Sequence, residues 1–261
     1  MKKILLSAFA AAAFFVSGVA NATFVTEWGY NSSLQWDTTQ TTFTAGGGTP
    51  GNTPSLLSWG ATGGDHTDLL ADPSDSRSAL EITGSPAAGS VFTNGALETV
   101  GTITHWNNAI SSAFSILETG VLSFSVVLNA IDPLGGVLAP ITQNFSFSFA
   151  ETSNSDPCGF PAGSVCDDIF VLTSTDFVKN FSYMGTNYEA SIIDPNLILL
   201  SDDTCAAAGV AAGCRGVQTL ENDTSNVDFR LKITTVPEPA TIALFGAGLL
   251  GFALYRRRRT I

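Results

Sequence analysis

Alternating apolar and polar residues, the pattern of a half-buried β-strand, are the main signal in the central part of the chain. The alternation is clearest at 120–129 and 143–150. In the second segment Phe145, Phe147 and Phe149 fall on one face while two serines fall on the other. Between the two segments the sequence Asp-Pro-Leu-Gly-Gly favours a turn. We therefore expect a β-hairpin here.

Further strands are predicted along the same region, separated by turns rich in Gly, Pro, Asn and Asp. They are expected at 56–59, 79–83, 100–104, 169–172, 181–183, 188–193 and 227–234. Short strands at this spacing are typical of two packed sheets, so the sequence predicts an all-β domain of the β-sandwich or jelly-roll type. A mobile Gly- and Thr-rich loop is expected at 41–54, and an excursion before the last strand at 201–225.

An uninterrupted apolar run at 4–19 breaks this pattern near the start of the chain. It follows Lys2 and Lys3 and precedes the small-residue sequence Ala-Asn-Ala. A short basic segment, an apolar run and an A-x-A site together make a secretory signal peptide. We expect residues 1–22 to be that signal peptide and the mature chain to begin at Thr23.

A second uncharged apolar run occupies residues 240–255 and is followed by four consecutive arginines. A helix of this length, at about 1.5 Å per residue, spans roughly 24 Å, a little less than a hydrocarbon core about 30 Å thick. The flanking tyrosine and arginine side chains can cover the difference by reaching to the interface. Basic residues directly after the run predict that this end stays in the cytoplasm, so the preceding domain lies outside. The run is therefore predicted to be a transmembrane helix.

The complete tail resembles the PEP-CTERM sorting signal of Gram-negative bacteria, which has three parts in this order. The parts are Pro237, Glu238 and Pro239, then the apolar helix, then Arg256, Arg257, Arg258 and Arg259. The resemblance implies that an exosortase recognises and processes the Pro-Glu-Pro motif; the alternative is an ordinary C-terminal membrane anchor. The predicted organisation is a signal peptide at 1–22, an extracellular β-sandwich domain at 23–235 and a sorting signal at 236–261.

The charge of the predicted outer domain is strongly negative. The two terminal signals hold six of the eleven basic residues and one of the twenty-three acidic residues, so the domain between them carries a formal charge of −17. Such a field repels nucleic acid and anionic lipid, and it favours solubility and the binding of cations. We therefore expect no nucleic-acid partner.

Four cysteines form two closely spaced pairs. Spacings of eight and nine residues in an exported chain predict two local disulfides, Cys158–Cys166 and Cys205–Cys214. A zinc site would require the closer C-x-x-C spacing and usually a histidine, so the disulfides are favoured over a metal site.

The segment Thr104-His105-Trp106-Asn107 resembles the T-H-x-N motif of the THxN family of PEP-CTERM proteins. The surrounding sequence is similar to a related anchored β-domain, choice-of-anchor K. The matching features are Trp28, Trp36, Ser58-Trp59-Gly60, residues 147–154 and residues 166–170. Ala109 departs from the family, which often has a proline there. The resemblance implies a shared extracellular fold and no assigned catalytic activity.

His105 has two interpretations from its residues alone. As a functional side chain it is a metal ligand or a polar sugar contact, with Trp106 as a stacking surface. Otherwise it belongs to a turn after the strand, in which the neighbouring threonine and asparagines bond backbone groups. The other histidine, His66, lies in a polar segment and is expected to be solvated.

Acidic and amide side chains flank the first cysteine pair. They are Glu151, Asn154 and Asp156 before it and Asp167 and Asp168 at its end. A disulfide would bring these oxygen ligands together, and such ligands suit calcium, the one cofactor that the sequence suggests. The alternatives are solvated acidic loops and a pair of glycosidase carboxylates.

These observations lead to a functional hypothesis. We expect a non-enzymatic protein that is exported across the inner membrane and sorted to the surface or the extracellular polysaccharide matrix of a Gram-negative bacterium. Its expected partners are an exosortase, the polysaccharide, and the membrane through the C-terminal helix before processing. The alternatives are a carbohydrate-active hydrolase that uses acidic residues near Asp167 and Asp168, and a protein adhesin.

Overall fold

Two antiparallel β-sheets account for most of residues 24–155, 157–174 and 178–237, which the computed structural model of the protein describes. Within these ranges there are fifteen strands and one short helix, numbered in chain order. The predicted signal peptide and transmembrane helix, Glu238, Pro239, the tail arginines and Asp156 lie outside the described residues.

The first sheet contains eight strands. In spatial order they are β13 (Ile198–Leu199), β14 (Arg215–Thr219), β10 (Asp168–Leu172), β9 (Ile141–Ala150), β8 (Leu117–Asp132), β1 (Glu27–Trp36) and β6 (Ala87–Phe92), with β2 (Thr42–Phe43) paired to β8.

The second sheet contains seven strands. In spatial order they are β11 (Val178–Tyr183), β12 (Thr186–Ile193), β15 (Asp223–Thr235), β7 (Glu98–Asn107), β5 (Arg77–Thr83), β4 (Leu56–Gly60) and β3 (Gly51–Asn52).

The predicted hairpin is confirmed in the pairing of β8 with β9, whose register runs from Thr119 opposite Ser148 to Val126 opposite Ile141. Every second residue of β9 from Phe145 to Phe149 is buried, and the serines between them lie on the other face. The alternation seen in the sequence therefore decides which face of the first sheet meets the core.

The inner faces of the two sheets enclose one main hydrophobic core rich in large aromatic side chains. Trp28, Trp59, Tyr188, Phe145 and Phe229 are all less than 2 % exposed. The rings of Trp28 and Tyr188 meet edge to face with their centroids 5.2 Å apart. Each fully buried side chain of this size stabilises the fold by roughly 2–3 kcal/mol, which explains why the sheets stay packed face to face.

The prediction missed the first strand. β1 lies in the interior of the first sheet, between β8 and β6, so the N-terminal segment is part of the sandwich. Trp28, Tyr30, Leu34 and Trp36 point into the core at a period of two. The strands β6 and β14 were not predicted either, and the segment at 41–54 contains β2 and β3, which hydrogen-bond to neighbouring strands.

The excursion before the last strand contains the helix α1 (Asp202–Ala207). Ser201 caps its N-terminus by accepting a hydrogen bond from the backbone N–H of Thr204. Two aspartates in the first turn interact favourably with the positive, N-terminal end of the helix dipole. The disulfide Cys205–Cys214 joins this helix to the start of β14. The second predicted disulfide, Cys158–Cys166, is also present.

Both terminal segments leave the domain at the same end. Phe24 and Val236 line one shallow groove there, and the backbone N–H of Val236 bonds the carbonyl of Asn187 at 2.8 Å. We call this the tail end. At the opposite end, the distal end, β15 begins at Asp223 beside Asn107. No helix among the described residues is long and apolar enough to cross a membrane.

Candidate functional site

A polar cleft of about 1040 Å³ opens at the distal end of the sandwich. It is lined by the segments 72–74, 109–112 and 151–155, together with Thr44 and Ala45, which follow β2, and with Phe114 and Ile116. The three segments precede β5, follow β7 and follow β9, so the two sheets place their connecting loops around one opening. Most of the lining side chains carry a hydroxyl, an amide or a carboxyl group.

Hydrogen bonds between the loops fix the wall of this distal cleft. The carboxylate of Asp72 accepts from the backbone N–H of Ser74 at 3.0 Å and from its hydroxyl at 2.8 Å, and these bonds lower the pKa of Asp72. The backbone N–H of Ser111 donates to Pro73, and the amide of Asn154 donates to the carbonyl of Ile110. The wall is therefore built before any ligand arrives.

A buried polar cluster lies directly beneath the cleft and is connected to it by Glu151. The indole N–H of Trp59 on β4 donates to Glu151 Oε2 at 2.5 Å. The carboxyl groups of Glu151 and Asp168, the first residue of β10, are buried together, and each affects the pKa of the other. The backbone N–H of Thr152 donates to Asp168 Oδ1 at 2.8 Å. Two neighbouring carboxyl groups buried in this way are disfavoured as a pair of charges, so we expect them to share at least one proton.

The electrostatics of the pair favour that proton at neutral pH. Burial raises the pKa of Glu151 to about 8; the hydrogen bond from Trp59 and the interaction with Asp168 oppose this, and the charge of Glu221 adds to it. Burial, and then the charge of Glu151, raise the pKa of Asp168 well above its usual value. Burial also raises the pKa of Glu221 to about 7. The distal end therefore contains three carboxyl groups whose ionised forms are disfavoured.

His105 lies inside β7 and points into this cluster, so the interpretation that placed it in a turn after the strand is wrong. Its Nδ1 lies 2.7 Å from the hydroxyl of Thr219, and its Nε2 lies 3.9 Å from Asp168 Oδ2, too far for a hydrogen bond. The ring stacks on Trp59 and meets the edge of Phe149. Burial lowers the pKa of His105 to about 3, so the imidazole is neutral.

The remaining members of the motif alternate between the two faces of β7. The hydroxyl of Thr104 faces outward and donates to Asn226 Oδ1 at 2.9 Å. Asn107 faces inward, where its amide donates to the carbonyls of Thr219 and Leu220. Trp106 points outward and donates to Glu81 Oε2 at 3.1 Å, so its indole N–H is engaged. Thr104, His105 and Asn107 thus join β7 to its neighbours and to the 219–225 turn.

His66 is not free in solvent, contrary to the expectation. Its side chain is 20 % exposed, with Nε2 3.8 Å from Glu81 Oε2, and its ring meets the edge of Trp106. Its backbone carbonyl accepts from the amide of Asn108. The segment that contains His66 therefore covers the outer face of β7.

A buried arginine, which the sequence reasoning missed, braces the loops near the cleft. The guanidinium of Arg77 donates to Ser58 Oγ, to the carbonyl of Ala61 at 2.9 Å and to the carbonyl of Thr49 at 2.8 Å. Burial lowers the pKa of Arg77. The signal available in the sequence was a basic residue just before the strand predicted at 79–83. No pattern in the sequence connects Arg77 with Thr49, Ser58 or Ala61, to which it donates.

The five predicted calcium ligands do not form one group. Glu151 and Asp168 meet, as the disulfide argument expected, but burial raises the pKa of both and disfavours the ionised forms that a calcium ion would need. Asp167 closes a local turn by accepting from the backbone N–H groups of Gly163 and Ser164 at 2.7 and 2.8 Å. Asn154 lines the cleft wall, and Asp156 lies outside the described residues. Within the described ranges no three His, Cys, Asp or Glu side chains are arranged to hold a metal ion, so this geometry does not favour calcium.

Thr219, His105 and Asp168 include the residue types of a nucleophile, a base and an acid. All three side chains are at most 1 % exposed. The histidine also forms no hydrogen bond to the aspartate, whereas a catalytic base needs an orienting partner. In this structure no substrate reaches the hydroxyl of Thr219.

Comparison with known protein families supplies the one identification. Residues 235–259 are a PEP-CTERM protein-sorting motif. The match includes the Pro-Glu-Pro sequence, the apolar run and the four arginines, so the prediction made from the tail is confirmed. The PEP-CTERM motif implies an exported protein of the Gram-negative envelope that an exosortase processes. A search among curated proteins finds no match to the chain.

Proposed function

We propose that this PEP-CTERM protein is a non-enzymatic binding module of the extracellular polysaccharide matrix, and that the distal cleft holds the polysaccharide. The observation that carries the proposal is the position of the cleft. The sorting motif leaves the domain at the tail end, and the polar cleft opens at the other end. A domain attached through its tail would therefore present the cleft away from the cell.

The chemistry of the cleft supports a sugar ligand. Ser112, Thr152, Ser153 and Asn154 offer hydroxyl and amide groups that both donate and accept hydrogen bonds, and Phe114 offers an apolar ring face. A few oriented polar groups around an apolar surface are typical of small-molecule and saccharide sites. The strongly negative charge of the domain favours a neutral or basic polysaccharide over an acidic one.

The resemblance at Thr104–Asn107 to the THxN family agrees with this assignment. In this chain the motif residues bond neighbouring strands and the 219–225 turn, and His105 lies in the cluster under the cleft. We infer that the motif maintains the distal end and that it does not contact the sugar itself.

Co-sedimentation with the polysaccharide of the producing cells tests the proposal. The oxidised domain, residues 23–236, is expected to be retained, and Ser112→Trp is expected to abolish retention because the indole would fill the cleft. Thr142→Trp, on the outer face of β9, is the matched control and is expected to be retained. Retention is expected to be the same with calcium and with EDTA.

Two results would contradict the proposal, and a third would contradict the expectation that calcium plays no part. Equal retention of the Ser112→Trp protein would place binding elsewhere on the domain. No retention of the unmodified domain would favour an adhesin that binds other proteins. Retention lost in EDTA would restore calcium as a ligand and direct attention to Asp156 and the acidic residues around it.

A glycoside hydrolase is the second candidate, and one observation favours it. The distal cleft contains Glu151, whose pKa is raised to about 8, and Asp72, whose pKa is lowered. Two carboxyl groups whose pKa values are driven apart can divide the roles of acid and base. This pair replaces Asp167 and Asp168, which do not line the cleft. New reducing ends released from the polysaccharide, and lost in Asp72→Asn, would establish this activity.

A further inference from the structure

A second cleft, of about 790 Å³, opens on the side of the sandwich. It lies around the end of β10, between that strand, the end of β12 and the loop closed by the Cys205–Cys214 disulfide. This side cleft shares no lining residue with the distal cleft. Its volume falls within the range of sites for small organic molecules, about 300–1,000 Å³.

The walls of the side cleft are aliphatic. Val171 and Leu172 from β10, Ile192 from β12, and Leu197 and Val210 from the loops are among its lining residues. None of the described residues that line it is aromatic, so these residues offer no ring face on which a sugar could stack. Hydrocarbon chains gain free energy from such a surface because they leave water without losing hydrogen bonds.

Two polar groups lie beside the turn at 194–197. Asp194 Oδ1 accepts from the backbone N–H of Asn196 at 2.7 Å, whereas Asp194 Oδ2 is buried and has no hydrogen-bond partner among the described residues. The guanidinium of Arg215 donates to the carbonyl of Leu197 at 2.8 Å. It forms no ion pair with any other residue that the structure describes. An acceptor without a partner of its own and a donor of opposite charge therefore lie beside the same turn.

These features select one class of ligand. A carboxylate head group would be attracted by Arg215 but repelled by Asp194, and an ammonium group would be attracted by Asp194 but repelled by Arg215, so neither charged head group gains from both side chains. A hydroxyl group can donate to the first and accept from the second, with no charge to desolvate. We propose that the side cleft binds a neutral aliphatic amphiphile, a molecule with a saturated hydrocarbon chain and a hydroxyl head. This site is independent of the polysaccharide site.

Methyl NMR of the disulfide-intact domain with octan-1-ol as the probe tests the proposal. We expect shifts at the methyl groups of Ile192 and Leu197 and no shift at Val91, which is buried in the core beneath β6. We also expect octanoate and octylamine to bind at least about tenfold more weakly.

Two tryptophan variants provide the blocked form and its control. Ala212→Trp, at the rim of the side cleft, is expected to weaken octan-1-ol binding by about tenfold or more, because the indole would occupy the cleft. Val137→Trp, at a position 71 % exposed near the tail end, is expected to leave it unchanged. Absence of the methyl shifts, equal binding of either charged probe, or unchanged binding to Ala212→Trp would overturn the proposal.

Discussion

The proton that Glu151 is expected to keep beneath the distal cleft makes the folding stability depend on pH. The substitution Glu151→Gln is expected to remove this dependence. The ordinary pKa of Glu151 is 4.5, and burial raises it to about 8 in the folded protein. Between these values the folded state keeps a proton that the unfolded state has lost. The stabilisation from this group is therefore fully present below pH 4.5 and is lost as the pH rises through about 8.

The magnitude follows from the interval between the two values. About 3.5 pKa units at about 1.36 kcal/mol each amount to roughly 5 kcal/mol. In Glu151→Gln the amide has no proton to lose, its oxygen can accept from Trp59, and its N–H₂ group can donate to Asp168. The free energy of unfolding of this variant, relative to wild type, is therefore expected to rise by roughly 5 kcal/mol between pH 4.5 and 8.

Urea unfolding followed by tryptophan fluorescence at a series of pH values measures this difference. His105 is present in both proteins, whereas the pKa of Asp168 depends on the charge of Glu151, so the difference between the two proteins reports the titration of the Glu151–Asp168 pair. Glu118→Gln, at an exposed position of β8, is the matched control and should follow wild type at every pH. If the difference between wild type and Glu151→Gln changed by less than about 1 kcal/mol over this range, the shared proton would be refuted.

Three further predictions concern stability, each measured as the free energy of unfolding in urea. Arg77→Leu should cost about 2–4 kcal/mol because it leaves loop carbonyls and Ser58 without a donor, and a smaller loss than about 1 kcal/mol would show that the arginine does not brace the loops. Replacing Cys205 and Cys214 by serine should cost about 2–3 kcal/mol, and a reducing agent should lower the stability of wild type by more than that of the variant, which keeps only Cys158–Cys166. Gly216→Ala should be strongly destabilising because its Cβ would lie 2.2 Å from a backbone carbonyl of β10, whereas Gly136→Ala, with no atom closer than 3.9 Å, should behave as wild type.

The sequence was most informative where one strand carried a full alternation. The β8–β9 hairpin was predicted because its apolar positions are Val, Leu and Phe and its turn contains Pro and Gly. β1 has the same period, with Trp28 and Trp36 at its inner positions, but Gly29, Asn31 and two serines have low strand propensity and hid the pattern. Its place in the sheet is set by burial of its aromatic side chains.

The buried cluster could not be predicted, because its members come from five separate elements. Trp59, His105, Glu151, Asp168 and Thr219 meet through the register of β4, β7, β9, β10 and β14. The sequence placed Glu151 and Asp168 near each other through the disulfide, which was right. It gave no sign that these carboxyl groups are buried, and burial is what turns expected calcium ligands into partners that share a proton.

The opposite positions of the tail and the distal cleft also determine how the domain would carry a mechanical load. A ligand held at the distal end and a tether beyond Val236 would pull along the axis of β15. That strand lies between two neighbours, paired with β12 over six residues and with β7 over nine. Hydrogen bonds between antiparallel strands run perpendicular to the strands. A force along β15 would therefore load all of its hydrogen bonds to β12 and β7 at once and would not break them one after another. The domain would resist extension most strongly in the direction in which a matrix pulls on the cell.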